Sequence, residues 1–199
     1  MPKSERFIGR YKTGDIPWDI ERPDFNLINA VKSVPIKKCK ALDVGCGTGD
    51  NSIWLAQKGF EVTGTDIAEL AIESAKKKAL QVNTKCTFIA LDFLTSKIAE
   101  APFGFVFDRG CFHSFDSDKE KKKYARNVAE HLGKDGLWLT FVGSSDSEPR
   151  ETGPPKRTAE DIVSAVEPYF KILSLTAGNF DSNSTNPAKA WICLMQKRN

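Results

Sequence analysis

The chain has 199 residues, 40% of them apolar, and a formal net charge of +3 at pH 7. This length fits one domain with a sizeable core, and the nearly balanced charge argues against a dedicated nucleic-acid binder, which usually carries a strongly basic face. No secretory signal and no membrane-spanning apolar run are recognised, and five scattered cysteines without a C-x-x-C pair are typical of reduced thiols, so we expect a cytoplasmic protein without a membrane partner.

The predicted elements begin with an irregular N-terminal segment, residues 1–38. It contains one predicted helix, Asp24–Val34, after a lead-in rich in glycine, proline and aromatic residues. From Cys39 onward, apolar strand patterns alternate with amphipathic helical patterns, which is typical of a parallel α/β sheet. We therefore predict a single domain, residues 1–199, composed of an N-terminal lid and helix (1–38) and an α/β core (39–199).

Seven strands are predicted in the α/β core. In chain order they are Cys39–Val44, Phe60–Asp66, Cys86–Leu91, Phe103–Arg109, Gly136–Val142, Phe170–Ala177 and Ala188–Gln196. The helices predicted between them are Asp50–Lys58, Ala68–Leu80, Ser117–Leu132 and one that begins at Thr158. Because no helical pattern separates the last two strands, we expect them to form a hairpin at one edge of the sheet.

The first predicted strand leads into a turn that contains Gly45, Gly47 and Gly49. Glycines let a backbone approach a ligand closely, and the helix that follows offers free N–H groups at its N-terminus. The second predicted strand ends on Asp66, where nucleotide-binding βαβ units place an acid that accepts hydrogen bonds from a ribose. The sequence therefore predicts a site for a ligand that contains a nucleoside.

The glycine spacing and the nearby charges favour one kind of ligand over another. A dinucleotide site has the pattern G-x-G-x-x-G and meets a pyrophosphate at the helix N-terminus, but here Asp50 takes the position of the third glycine. A carboxylate at a helix N-terminus repels a pyrophosphate, and Asp43 adds negative charge just before the turn. The turn thus favours a ligand with an amine and a positive centre, such as S-adenosylmethionine with its sulfonium.

Three segments of the chain resemble one enzyme family. LDVGCGTGD, followed by GFEVTGTDIAELAIESA, is similar to the cofactor motifs of class I S-adenosylmethionine-dependent methyltransferases. Phe107–Cys111 resembles the D-R-G segment of the thiopurine S-methyltransferase, tellurite-resistance and thiol-halide methyltransferase group, and Trp18 matches a tryptophan that this group lays against the cofactor. The resemblance implies a seven-stranded Rossmann-like sheet, mostly parallel with an antiparallel last strand, and helices on both faces.

The resemblance also implies that the cofactor is S-adenosyl-L-methionine and assigns residues to it. Asp66 would receive the ribose hydroxyls, Ile67 would pack on the adenine, and Asp92 would bind the adenine amino group. The full set of expected cofactor-binding residues is Trp18, Asp43, Gly45, Gly47, Gly49, Asp66, Ile67, Asp92, Phe93 and Arg109.

Several of these residues also have a purely structural interpretation. Asp92 could cap a loop, Phe93 could belong to the core, and Trp18 could be a buried packing residue. An arginine at the end of a buried strand needs a partner. Arg109 could therefore form an ion pair with a neighbouring acid, or it could lie beside the cofactor and attract an anionic acceptor.

Candidate catalytic residues follow the fourth predicted strand. Cys111 and His113 suggest a nucleophile and a base, but methyl transfer from a sulfonium is a direct displacement that needs no enzyme nucleophile. Arg109 and His113 are therefore candidates for positioning the acceptor, and His113 also for deprotonating it. With only two histidines in the chain, no metal-ligand cluster is predicted. Trp18 and the loop Ser144–Lys156 are expected to cover the site and exclude water.

The sequence thus predicts a methyltransferase that acts on a small molecule. A soft nucleophile such as a thiol, a related chalcogen compound or a halide fits best, because a thiol ionises near pH ~8.5 and needs no strong base. One alternative is a regulatory protein that binds the cofactor without turnover. Another is a nucleic-acid or protein methyltransferase. Against the nucleic-acid enzymes, residues 108–111 read Asp-Arg-Gly-Cys where amino-methylating enzymes have D/N-P-P-aromatic and pyrimidine carbon-methylating enzymes have Pro-Cys.

Overall fold

A computed structural model describes residues 3–34, 36–149 and 153–199. The chain falls into two compact units, Met1–Lys97 and Ile98–Asn199. The single domain predicted from the sequence stays a prediction. Within the described ranges, no helix is both long enough and apolar enough to cross a membrane.

The first unit has, in its described residues, a three-stranded parallel sheet and four α-helices. The strands are β1 Lys40–Val44, β2 Glu61–Asp66 and β3 Thr87–Ala90, in the spatial order β3-β2-β1. The helices are α1 Lys3–Thr13, α2 Phe25–Ser33, α3 Asp50–Gln57 and α4 Glu69–Gln81. Helices α3 and α4 each connect two parallel strands, as the parallel arrangement requires.

Small and apolar side chains let α3 and α4 pack closely on the sheet of the first unit. Ile53 of α3, Ile72 and Ala75 of α4, and Phe88 of β3 are buried in one cluster. Gly64 of β2 lies beneath the Phe88 ring, and a Cβ added to it would approach Phe88 Cδ1 to 2.8 Å. This close packing holds the β1–α3 turn and the end of β2 in a fixed relation, because interiors are nearly close-packed.

The second unit has, in its described residues, four strands, two α-helices and a short 3-10 helix. The strands are β4 Phe103–Arg109, β5 Leu132–Gly143, β6 Phe170–Asn179 and β7 Lys189–Lys197, in the spatial order β4-β5-β7-β6. Strands β4 and β5 are parallel, whereas β7 is antiparallel to both of its neighbours. The helices are the 3-10 helix Phe112–Ser114, α5 Asp118–His131 and α6 Ala159–Val166.

Aromatic side chains form the core of the second unit. The ring centroid of Trp138 lies 5.9 Å from those of Phe112 and Tyr124, and 5.1 Å from that of Phe170. All four side chains are fully buried. The Trp138 indole N–H donates to the Asp108 carboxylate at 2.9 Å, so the one polar atom of the indole is satisfied, as buried tryptophans require.

The structure confirms the strands and helices predicted for the α/β core, with shifts of their ends. The hairpin of the last two strands is confirmed by the pairing of β6 with β7. Strand β5 begins at Leu132, earlier than predicted, because it pairs with β4 across an irregularity between Phe103 and Phe105. Two elements, α1 and the 3-10 helix, were not predicted. Of the predicted lid segments, residues 1, 2, 35 and 150–152 lie outside the described residues.

A buried lysine joins α5 to α6. The Lys121 ammonium, whose side chain is 3% exposed, donates to Asp161 Oδ1 at 2.6 Å. The other Asp161 oxygen accepts the backbone N–H of Thr158, and the Thr158 side chain accepts from the Asp161 backbone N–H in a capping box. The hydrogen bond from Lys121 and those from Thr158 lower the pKa of Asp161 to about 2.

We predict that Asp161→Asn lowers the free energy of unfolding by about 1–2 kcal/mol at pH 7, after allowance for solvent screening of a carboxylate that is about one third exposed. Because the folded-state pKa lies below the unfolded value, this stability is present above pH ~4 and is lost as the pH falls toward ~2. Urea unfolding at pH 7 and pH 3 measures it, and the difference between the proteins should shrink by about half at pH 3.

Glu160→Gln is the matched control for this prediction. Glu160 is exposed in the same first turn of α6, so its loss should change stability by no more than about 0.5 kcal/mol. Equal losses for the two variants at both pH values would contradict the assigned role of the Lys121–Asp161 pair.

Candidate active site

The turn between β1 and α3 has a left-handed backbone at each of its three glycines. The φ angles are +70° at Gly45, +54° at Gly47 and +91° at Gly49, a region that glycine enters without the steric cost of a Cβ. The N–H groups of Gly45 and Cys46 both donate to the carbonyl oxygen of Thr65, at 2.7 and 2.9 Å. The turn is therefore fixed to the end of β2.

Gly49 sets how closely α3 approaches α4. A Cβ at Gly49 would lie 2.9 Å from the Cβ of Ala75 and 3.2 Å from Cζ of Phe88. These distances are too short for a side chain, so the α3 N-terminus can reach its position only with glycine there. Gly49 thus serves the close helix packing for which dinucleotide sites use their own third glycine.

Asp66 accepts hydrogen bonds from the β1–α3 turn and from the β2–α4 connection. Its Oδ2 accepts the Gly47 N–H at 3.0 Å, and its Oδ1 accepts the Ala68 N–H at 2.9 Å. Burial raises the pKa of Asp66 above its ordinary value, and the backbone donors oppose this rise. Each carboxylate oxygen has a further lone pair, so Asp66 can accept ligand hydroxyls while it holds the glycine turn.

The predicted adenine residues lie at the ends of β2 and β3. The Leu91 N–H donates to the Asp66 carbonyl at 2.9 Å, which brings the two strand ends together. Ile67 is partly exposed there. Asp92 is exposed and its Oδ1 accepts the Leu94 N–H at 2.9 Å in a local turn, whereas Phe93 is buried. Contacts of Ile67, Asp92 and Phe93 with an adenine stay predictions, and Asp92 also has the loop-capping role.

The two acids near the glycine turn are both partnered. Asp43 is buried in β1 and accepts the Ser52 hydroxyl at 2.6 Å. Asp50 forms an ion pair with Lys78 of α4, with 2.7 Å between Nζ and Oδ2. The negative charge that Asp50 places at the helix start is therefore paired with a lysine of the next helix.

Three aromatic residues, Phe7, Tyr11 and Trp18, form a cluster that we call the aromatic cap. The Trp18 Nε1–H donates to the Tyr11 hydroxyl at 3.1 Å, and the Trp18 ring centroid lies 5.6 Å from that of Phe7. The Tyr11 hydroxyl lies where a Cβ of Gly47 would come within 3.0 Å. Trp18 is thus held beside the glycine turn by a helix that the sequence analysis missed, although Phe7 and Tyr11 have helical i, i+4 spacing.

A polar contact joins the segment that carries the aromatic cap to the glycine turn. The Thr48 hydroxyl lies 2.8 Å from Asp19 Oδ2 and 2.8 Å from the Lys78 ammonium, which donates to it. Since Asp19 directly follows Trp18, this contact fastens the segment that carries the indole. Burial raises the pKa of Tyr11, with Asp66 adding to the effect, so Tyr11 stays a neutral phenol.

In the second unit, Arg109 ends β4 and lies against Phe180. Its Nη2 donates to the Asp181 carbonyl at 2.5 Å, and its guanidinium carbon lies 5.5 Å from the Phe180 ring centroid. The neighbouring Asp108 has a structural role, because it accepts the N–H groups of Cys111 and Phe112 at 3.0 and 3.1 Å in addition to the Trp138 indole. Burial raises the pKa of Asp108 to about 6.

His113 is buried in the 3-10 helix as a neutral imidazole. Its Nδ1 accepts the Gly143 N–H at 3.0 Å, so the ring hydrogen resides on Nε2. Burial, together with the charges of Arg157 and Arg109, lowers the pKa of His113 to about 3. The occupied Nδ1 and the lowered pKa argue against a deprotonating role for His113, and its role in positioning the acceptor stays a prediction.

Arg157 closes the base of the loop that follows β5. Its backbone N–H donates to the Gly143 carbonyl at 2.7 Å, and its carbonyl accepts the Ser145 N–H at 2.9 Å. Its guanidinium donates to the carbonyls of His113 and Phe115 at 2.7 and 2.8 Å. The two ends of the loop and the 3-10 helix are thus joined by one residue. A covering role for Ser144–Lys156 stays a prediction.

Comparison with known proteins identifies the matching family. The methyltransferase domain family matches residues 41–136, which include the glycine turn, Asp66 and Arg109. A probable thiol methyltransferase 2 of Arabidopsis thaliana is 30% identical over 165 residues, covering 82% of this chain and 69% of the relative. Thiocyanate methyltransferase 1 of Brassica oleracea is 28% identical and covers 83% of this chain and 73% of the relative.

A solved structure has the same fold across nearly all of this chain. It comes from work on the conversion of a disulfide bond into a thioacetal group during echinomycin biosynthesis. It superposes with a TM-score of 0.84 at 24% identity and covers 98% of this chain and 93% of that one. The predicted fold class, a mostly parallel seven-stranded α/β sheet with an antiparallel last strand, is confirmed.

We predict that Gly49→Ala lowers the free energy of unfolding by about 2–5 kcal/mol, because it combines left-handed strain with overpacking against Ala75. Chemical denaturation measures the loss. Gly14→Ala is the control: Gly14 has φ +74° and nothing within 4 Å of an added Cβ, so it reports the backbone strain alone. Equal losses in the two variants would contradict a packing role for Gly49.

Proposed function

Because the chain belongs to the S-adenosylmethionine-dependent methyltransferases, we propose that it methylates a small soft nucleophile, such as a thiol, a related chalcogen compound or a halide. When bound, S-adenosylmethionine would supply a methyl group on a sulfonium, and the acceptor would take this methyl group by direct displacement with S-adenosylhomocysteine as the leaving group. The protein then has to hold the methyl donor and the methyl acceptor in line. Such positioning lowers the activation free energy by about 7–11 kcal/mol in favourable cases.

The residues of the first unit fit this cofactor. The glycine turn carries no Cβ at Gly45, Gly47 or Gly49, so its backbone can approach a ligand closely, and the Tyr11 hydroxyl lies beside Gly47. Asp66 is a carboxylate whose oxygens each hold one backbone donor and have a lone pair left for a ribose hydroxyl. We assign the ribose to Asp66 and the adenine to Ile67 and Asp92.

The aromatic cap is assigned to the positive end of the cofactor. An indole face attracts a sulfonium by a cation–π interaction worth about 0.5–2 kcal/mol, and Trp18 is fixed in orientation by its bond to Tyr11. Binding of the cofactor by Asp43, Phe93 and Arg109 is carried by the resemblance alone.

The observation that favours a soft nucleophile is the state of the two histidines. His113 uses Nδ1 for the Gly143 N–H. His131 is buried, accepts the Ile98 N–H at Nε2 at 3.2 Å, and has Nδ1 2.7 Å from the Asn127 carbonyl. The accepting nitrogen of each imidazole is thus occupied by a backbone N–H, so we expect the methyl acceptor to lose its proton to water. A thiol with a pKa near ~8.5 does so readily.

The thiol and thiocyanate methyltransferases to which the chain is similar support this acceptor class. All five cysteines are free, which is typical of a reducing compartment. We therefore also propose that the protein works in the cytoplasm on a small-molecule acceptor.

Product formation from a panel of acceptors tests the proposal. We expect methylated product from a small thiol and from thiocyanate, and much less from a phenol whose pKa of ~10 leaves it protonated at neutral pH. Because the enzyme supplies no imidazole base, the rate with the thiol should rise about tenfold per pH unit below its pKa, whereas the rate with thiocyanate, an anion throughout, should stay flat.

Two outcomes of the panel would contradict the proposal. A bell-shaped pH profile near pH ~6.5 with thiocyanate would indicate a titrating histidine after all. Tight cofactor binding without any methylated product would favour the regulatory alternative.

Cofactor affinity tests the role of Asp66. We predict that Asp66→Asn weakens S-adenosylmethionine binding by about tenfold or more, because hydrogen bonds to a charged group are worth about 1.5–3 kcal/mol. Calorimetric titration measures the change, with thermal unfolding to confirm that the variant is folded. Glu61→Gln removes an exposed charge at the start of the same strand and should leave affinity unchanged. Equal affinity of Asp66→Asn and the wild type would refute the assignment.

A further inference from the structure

Three side chains that are distant in sequence meet around one aromatic ring of the second unit. The His113 and Phe180 rings form a T-shaped pair, with 5.9 Å between centroids and 81° between planes. The Arg109 guanidinium carbon lies 5.5 Å from the centroid of the same ring. His113 and Phe180 are each 8% exposed, whereas Arg109 is partly exposed. We call these three residues the Phe180 cluster.

The imidazole in this cluster is held in one position and one tautomer. Its Nδ1 accepts the Gly143 N–H, and its ring lies directly over Gly110, where an added Cβ would be 2.7 Å from Cε1 and 2.9 Å from Nε2. Gly110 has φ +89°, so glycine is favoured there for its backbone as well as for the space it leaves. Arg157 fixes the backbone of the same turn through the His113 carbonyl.

The Nε2–H of His113 is a donor that the described residues leave unused. Within residues 3–34, 36–149 and 153–199, the hydrogen bonds of His113 are those from Gly143 to Nδ1 and from Arg157 to its carbonyl. His113 Nε2 is not among the fully buried side-chain atoms that lack a partner, and the residue is 8% exposed. A ligand that accepts a hydrogen bond can therefore complete the bonding of this N–H group.

We propose that the Nε2–H of His113 and the guanidinium of Arg109 bind the methyl acceptor as an anion, with the Phe180 ring as the apolar wall of its site. This inference rests on the proposed function, since it specifies how a soft nucleophile is held. A weakly hydrated anion such as a thiolate fits a cation, a neutral N–H and an aromatic edge, which carries partial positive charge.

The neutral state of His113 suits this role. A neutral N–H orients the anion without transferring a proton to it, so the lone pair that attacks the methyl carbon remains available. Arg109 supplies the charge, and charge-assisted hydrogen bonds from a planar guanidinium also restrict direction. His113 is thereby an acceptor-binding residue rather than a base.

Binding of thiocyanate to protein saturated with S-adenosylhomocysteine tests the proposal without any methyl transfer. His113→Asn retains an oxygen for the Gly143 N–H and removes the Nε2–H. We expect its thiocyanate dissociation constant, measured by calorimetry, to rise about tenfold or more, while the affinity for S-adenosylhomocysteine stays unchanged. Ser114→Ala is the matched control, because the Ser114 hydroxyl donates to the Cys111 carbonyl in the same 3-10 helix and should not alter thiocyanate binding.

Nuclear magnetic resonance of the imidazoles gives a readout that a merely structural role would not move. The chain has only two histidines, so His131 serves as an internal reference. We expect His113 to be the neutral tautomer that carries its hydrogen on Nε2. Its Nε2–H signal should shift on addition of thiocyanate, while the signals of His131 should not. A proton on Nδ1, or a Nε2–H signal that stays in place at saturation, would overturn the proposal.

The failure of this inference can be told apart from the failure of the proposed function. If the wild type methylates thiols but His113→Asn leaves both the thiocyanate affinity and the acceptor KM unchanged, the inference is refuted and the function stands. If thiocyanate binds through His113 but no thiol, halide or thiocyanate is methylated, the anion site is supported and the proposed function is refuted.

Discussion

The first unit depends on one carboxylate and the two backbone N–H groups that it accepts. Asp66 ties the glycine turn after β1 to the start of α4, because its oxygens hold the N–H groups of Gly47 and Ala68. A turn with three left-handed glycines has little intrinsic preference for one shape, since glycine loses more conformational freedom on folding than any other residue. The acid that we assign to the ribose therefore also fixes the shape of the turn. One carboxylate thus has a structural role and a proposed role in cofactor binding.

The second unit handles its ionisable groups in a different way. The Asp108 carboxylate accepts hydrogen bonds from two backbone N–H groups and an indole N–H. Burial and the charges of two arginines lower the pKa of His113. The atoms of both groups that accept hydrogen bonds are thus occupied within the unit. An enzyme arranged in this way gains rate from position and electrostatics rather than from acid–base chemistry. Methyl transfer to an acceptor that ionises by itself suits such an arrangement.

The sequence predicted the features that depend on residues close together in the chain. The strands of the core, the glycine turn and Asp66 follow from short-range spacing, and they lie where the sequence places them. Contacts between distant residues could not be predicted: Lys78 neutralises Asp50 from the next helix, and Gly143 fixes the tautomer of His113 from the end of β5. Helix α1 was overlooked because its mean hydropathy is low and a glycine interrupts it.

The closed base of the loop after β5 has an evolutionary consequence. Arg157 joins the loop ends through Gly143 and Ser145 and independently holds the carbonyl of His113. Residues between these anchors can be inserted, deleted or exchanged at modest cost, because loop-closure entropy grows only slowly with length. The predicted covering loop can thus vary among relatives while the imidazole keeps its place. A change at Arg157, by contrast, would alter the loop and the histidine together.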